Sequence, residues 1–201
     1  MIEQSQPKTS DESAELTRWL AEHRERLRRM VSLRLDRRLS GRVDASDVIQ
    51  EAFVEAALRY RQYKDQREVP PYLWLRFLTG QKLAQTHRKH LGVKARDAGR
   101  EVSLYRGPMP EASTQALAAH LIGKQTSPTQ AAHRAELQLR VQQALNAMAE
   151  IDREVLSLRH FEQLSNAESA MLLNLSEAAC YKRYARALQK LSAVLQPQTN
   201  S

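Results

Sequence analysis

Residues 164–191 read LSNAESAMLLNLSEAACYKRYARALQKL, and this stretch decides the fold. It describes two short helices joined by a tight turn, the second of them basic. Ser165 followed three residues later by Glu168 is a capping box, so a helix starts there. Ala170 is small enough for a second helix to approach closely. Asn174 stands where that helix should stop, because Asn tolerates the left-handed conformation of a C-terminal cap. Ser176 can then cap the next helix, with Glu177 at its positive end. In the second helix Cys180, Tyr184, Ala187, Leu188 and Leu191 recur at helical spacing and form a buried stripe. Lys182, Arg183, Arg186 and Lys190 are left on the outer faces. The pattern is that of a helix-turn-helix, whose second helix enters the DNA major groove. An ordinary antiparallel helix pair with a solvated basic face fits the same residues.

Working upstream, helical patterning returns at Ala131, and Leu137, Val141, Leu145 and Met148 make one face. Asp152 is expected to cap the following helix, with Ile151 and Leu156 as a hydrophobic staple. The C-terminal unit, 131–195, is therefore read as four helices that end in the DNA reader. Before it, from 97 to 130, the periodicity fades among Gly99, Gly107, Pro108, Pro110, Gly123 and Pro128. This reads as a flexible linker with one short helix around Gln115 to Leu121. So long a stretch inside one compact domain would be unusual, which argues for two domains.

The N-terminal unit, 12–96, carries three helical patterns. One runs from Leu16 to Leu39, its Arg24, Arg26, Arg28 and Arg29 mixed with Glu22 and Glu25 in what reads as a solvated face. Gly41 breaks it. Asp44 or Ser46 then caps a helix through Val48, Ile49, Ala52, Phe53, Ala56 and Ala57 to Tyr60. Pro70 and Pro71 open the third, Tyr72 to about His90, because Pro is well placed at a helix start. Its first half is apolar and aromatic, and its second half is basic. Residues 1–11 and 196–201 read as tails. No repeats and no alternating strand patterns occur, so the expected class is all-α, two helical domains on a flexible linker.

Composition limits the function. The formal net charge of +8 suits a polyanionic partner such as nucleic acid. The single cysteine excludes an internal disulfide framework, and Cys180 falls on the apolar side of its helix, as a small hydrophobe would. The opening MIEQSQPKTSDESAE lacks the basic start and apolar core of a signal peptide. No apolar run approaches the ~20 residues that span a bilayer. A cytoplasmic protein without membrane insertion is the expectation. The six histidines are scattered, none at metal-ligand spacing beside Cys180, and no Gly-rich phosphate loop is present. Neither an enzyme nor a cofactor is expected.

Three segments in order carry a resemblance: the acidic helix Asp44-Ala45-Ser46-Asp47-Val48-Ile49-Gln50-Glu51-Ala52-Phe53, the aromatic-to-basic helix from Tyr72-Leu73-Trp74-Leu75-Arg76-Phe77 to His87-Arg88-Lys89, and the terminal helix-turn-helix. Together they resemble RNA polymerase sigma factors of the sigma-70 family, extracytoplasmic-function type, which keep only the second and fourth conserved regions. The resemblance covers about residues 15–96 and 132–195. It implies a dissociable subunit that directs core polymerase to promoters and initiates transcription. Asp44, Asp47, Val48, Gln50 and Glu51 would dock on the clamp helices of the largest polymerase subunit, and the polymerase flap and an anti-sigma regulator are further implied partners. Thr79, Gln81, Lys82, Arg88 and Lys89 would read and melt the −10 element, with Trp74 expected in the core. Gln81 stands where the family commonly has Asn.

In the terminal motif Glu168, Ala170, Leu173, Ser176, Arg183, Arg186, Ala187 and Leu191 match the family pattern. Ala178, Ala179 and Cys180 replace its usual Gly-Thr-Val. At the −35 element, Ala178 and Ala179 would touch thymine methyls, Tyr181 and Lys182 would reach base edges, and Arg183 and Arg186 would hold phosphates. Two other readings stand beside this one. A stand-alone helix-turn-helix regulator would not bind core polymerase, and an adaptor or anti-sigma-like protein would not bind DNA.

Overall fold

The computed structural model describes residues 9–39, 41–66, 69–91, 109–122 and 131–195. Among them all regular structure is helical. Helix α1 spans Thr9–Arg34 and is followed by a 3-10 turn, Arg37–Leu39. Helix α2 spans Ala45–Asp65 and α3 spans Pro71–Leu91. Helix α4, Thr114–Ile122, lies in the stretch read as linker. The C-terminal part holds α5 (Ala131–Asn146), α6 (Glu150–Leu156), a π turn (Ser157–Phe161), α7 (Asn166–Leu173) and α8 (Glu177–Leu195).

The helix ends follow local chemistry. Asp44 caps α2 by accepting from the Ser46 N–H at 2.7 Å, and Asp47 closes the box by accepting from the Asp44 N–H at 3.1 Å. Ser165 Oγ accepts from the Glu168 N–H at 3.1 Å while the Glu168 carboxylate accepts from the Ser165 N–H at 2.7 Å. Asn174 ends α7 with φ +51°, and Ser176 Oγ accepts from the Ala179 N–H to start α8. Two expectations fail. Helix α1 begins at Thr9, inside the stretch read as a tail, and ends at Arg34 rather than Leu39. Asp152 does not cap a helix: α6 starts at Glu150, and Asp152 sits within it, engaged with another helix.

Two clusters of apolar side chains make the interior. The first joins Leu27, Met30 and Val31 of α1, Val48, Ile49 and Ala56 of α2 and Leu73, Leu78 and Leu83 of α3. It continues without a break into Val155, Leu158, Leu164, Ala170 and Cys180 of the C-terminal part. Trp74 belongs to it, stacked on Tyr63 with ring centroids 4.2 Å apart, as the core reading expected. The second gathers Leu117 and Ala118 of α4, Val141 and Leu145 of α5, Leu156 of α6 and Ala187 and Leu191 of α8, with Leu33 of α1 among them. The two halves thus bury one another's side chains. The short helix expected in the linker exists. It is packed rather than free, and the Ser113 N–H donates to the Leu33 carbonyl at 2.8 Å. Met109 lies against α3: a Cβ on Gly80 would stand 2.8 Å from its Sδ, so glycine is what lets it seat.

Candidate nucleic-acid interface

Helix α8 is anchored before it is offered. Its buried edge is Cys180, Ala187 and Leu191, and burial pushes the Cys180 thiol up, as suits a packing residue. The Asn166 side chain donates to the Glu177 carbonyl at 2.9 Å and ties the start of α7 to the start of α8. The two helices are therefore fixed at both the turn and the far end. Ala178, Tyr181, Lys182 and Arg186 are exposed, Tyr181 at 62 % of its full area, and Ala179 is half-buried. A large aromatic left that open beside cations is a surface made for a partner.

Arg183 differs from its neighbours. Its Nη1 donates to Asp152 Oδ1 of α6 at 2.8 Å, which holds the guanidinium in place and leaves part of its fork outward. Sequence reading assigned Asp152 to a cap because its partner lies on a different helix, which spacing within one helix cannot reveal.

On α3 the expected site residues separate. Arg88 and Lys89 are exposed at the basic end of the helix. Gln81 is half-buried, and Lys82 is paired to Glu55 of α2 at 2.9 Å, a hydrogen bond that holds the Glu55 carboxyl below its ordinary value. Thr79 does not fit its assignment: it is 1 % exposed, and its hydroxyl donates to the Leu75 carbonyl at 2.8 Å. A hydroxyl bonded back into its own helix is not available to a base in this conformation.

Helix α2 presents the second surface. Val48 is buried, while Asp44, Asp47, Gln50 and Glu51 are exposed. Asp44 and Asp47 are also the cap of the helix. The same face continues into Val54, 64 % exposed, and Leu58, 77 % exposed, one and two turns beyond Glu51. Sequence reading missed these two. The signal was present, because they fall off the Val48, Ile49, Ala52, Ala56, Tyr60 period that marks the core.

The basic run of α1 also has partners that the sequence did not disclose. Arg24 and Arg28 are solvated as expected. Arg26 instead donates to the Glu162 carbonyl at 3.1 Å and the Gln163 carbonyl at 3.2 Å, and Arg29 donates to Gln163 Oε1 at 3.1 Å. At the centre lies Glu162, fully buried. Arg34 of α1 reaches its Oε1 at 2.7 Å, and Arg76 of α3 donates to its Oε2 at 2.6 Å. Glu154 pairs with Arg34 as well. Burial alone would raise the Glu162 carboxyl, but the guanidiniums of Arg34 and Arg76 outweigh it and hold it below the ordinary range.

Among the described residues no group of His, Cys, Asp and Glu could hold a metal ion, and no helix is long and apolar enough to cross a membrane. Comparison with known proteins then bears on the outward face of α8. Residues 138–191, which contain the capped turn and this helix, match the family model described as sigma-70, region 4. The chain belongs to the sigma-70 family. Two solved structures are similar to the sigma-70 chain as a whole. One is CnrH in complex with the cytosolic domain of CnrY, at 23 % identity, covering 91 % of this chain and 88 % of that one, with a TM-score of 0.49. The other is the sigma factor RpoE in complex with the anti-sigma factor NepR from Bartonella quintana, at 16 % identity, covering 94 % and 99 %, with a TM-score of 0.47. No curated protein matches significantly.

Proposed function

We propose that this chain is a sigma factor of the extracytoplasmic-function type, acting in the cytoplasm to bring core RNA polymerase to promoters. The observation that carries the reading is the region 4 match, seated on a helix whose buried edge is apolar and whose free face is Tyr181, Lys182 and Arg186. Residues 131–195 form the −35 reader. Residues 12–96 form the unit that docks on polymerase through Asp47, Gln50, Glu51, Val54 and Leu58, with Asp44 capping that helix. The same unit engages the −10 element through Gln81, Lys82, Arg88 and Lys89. Polymerase carries out phosphodiester chemistry, and the sigma factor supplies address and opening. An anti-sigma protein is its natural regulator.

The packed arrangement cannot be the one that meets a promoter. Elements about 25 base pairs apart lie about 85 Å apart along a duplex, at roughly 3.4 Å per step. A compact chain of 201 residues has a radius of gyration of about 17 Å. The two readers must part on the promoter, with the stretch between them paying out.

Reconstitution with core polymerase followed by selection of promoters from random DNA tests the reading. Failure to bind core polymerase, or selection of no common sequence, would reject it. Within α8 the labour divides by position. Arg186→Ala should weaken binding about equally on all sequences and make the salt dependence shallower by about one unit. Lys182→Ala should instead cost about 1–3 kcal/mol on the favoured −35 sequence alone. Affinities on a promoter panel at several salt concentrations check both.

A further inference from the structure

The interior between the two halves holds more cation than it can satisfy. Arg26, Arg29 and Arg34 from α1 and Arg76 from α3 converge on the segment Glu162–Gln163. Arg34 and Arg76 are each 2 % exposed, and both bond the one Glu162 carboxylate. Yet Arg34 Nε, Arg29 Nε and the Tyr72 hydroxyl are buried without a hydrogen-bond partner. Gln163, which supplies acceptors to Arg26 and Arg29, is held at φ +58°, a conformation costly for a residue with a side chain. The occupant is strained and short of oxygens, while the seat is rigid and rich in donors.

All four arginines belong to the N-terminal unit, and Glu162 belongs to the other. When the halves part, the seat loses its anion and faces outward beside α3, the helix whose far end carries Arg88 and Lys89. Planar guanidinium forks match phosphate oxygens bidentately, and a phosphate offers more acceptors than one carboxylate. We propose that Arg26, Arg29, Arg34 and Arg76 form a phosphate seat for the sugar–phosphate backbone of promoter DNA, and that Glu162 occupies it when the chain is closed. The proposal rests on the sigma-factor reading.

The test uses holoenzyme reconstituted from the full chain and core polymerase. One variant, Arg34→Met with Arg76→Met and Glu162→Leu, replaces the buried charges together, so that the fold is not left with an unpaired ion. Its promoter binding should be weaker at low salt, with a log–log salt slope shallower by about 0.7–0.9, the value for one lost phosphate contact. Glu162→Gln leaves every arginine in place. It should keep the wild-type slope in holoenzyme while raising the affinity of the free chain for a single-stranded −10 oligonucleotide. An unchanged slope in the triple variant, with wild-type helical circular dichroism, would overturn the seat. A folded triple variant that no longer joins core polymerase would also overturn it, and would assign the arginines to an acidic protein surface instead. If wild-type holoenzyme itself prefers no promoter, the sigma-factor reading is what fails.

Discussion

Glu162→Ala should separate the two halves of the chain while leaving both helical. The substitution strands Arg34 and Arg76, each 2 % exposed, without the carboxylate that both of them bond. Breaking one partner out of a buried ion network typically costs about 3–5 kcal/mol, because the remaining charge stays dehydrated. That is a large share of the ~5–15 kcal/mol by which most domains are stable. Here the chain has a cheaper escape than unfolding. The stranded arginines lie at a boundary between units, so parting the units returns them to water. The radius of gyration from small-angle scattering should rise, with far-ultraviolet circular dichroism unchanged. An unchanged radius would mean that apolar contacts alone hold the halves together.

Acid should act on the same joint. Because the Glu162 carboxyl is depressed in the packed state, its contribution is complete above the ordinary value of 4.5 and vanishes as pH falls through the lower folded value. Opening by protonation of this group therefore belongs well below pH 4.5.

The second large effect concerns α2. Glu51→Lys combined with Leu58→Glu should abolish co-purification with core polymerase. Both side chains are exposed on one face, Leu58 at 77 %, and neither caps the helix. Residues central to an interface often contribute about 2 kcal/mol or more each, so the pair should weaken binding by about 10³-fold. Asp47 is left alone deliberately, because its carboxylate closes the cap at 3.1 Å and its loss would confound docking with helix fraying. Retained co-purification by the folded double variant would remove α2 from the docking surface.

What the sequence disclosed was local. Ser165 with Glu168, Asn174, Ser176, Asp44 and the Pro70–Pro71 boundary each act within a few residues, so their spacing carries their meaning. The buried stripe of α8 was legible for the same reason. What stayed hidden was partnership at a distance. Arg26 and Arg29 looked solvated because their acceptors lie more than 130 residues away along the chain. Asp152 resembled a cap because its bond to Arg183 crosses between helices. Thr79 looked like a base-reading residue because composition cannot say which face of a nearly all-round buried helix is covered. The linker was read as loose because Gly and Pro surround α4, while the contacts that hold α4 come from α1 and α5.

The π turn at Ser157–Phe161 makes the closed state depend on chain length as much as on residue identity. Its wider loop, with the Glu162 N–H reaching back to the Ser157 carbonyl, contains one residue more than an α-turn needs. Removing any one of those five would let the helix run on regularly and swing everything after it by about 100° around the axis. Glu162 would then face away from its arginines although neither it nor they had changed. A single-codon deletion would act as an on-switch, visible as an expanded chain in scattering, and a comparison of aligned side chains would show nothing amiss.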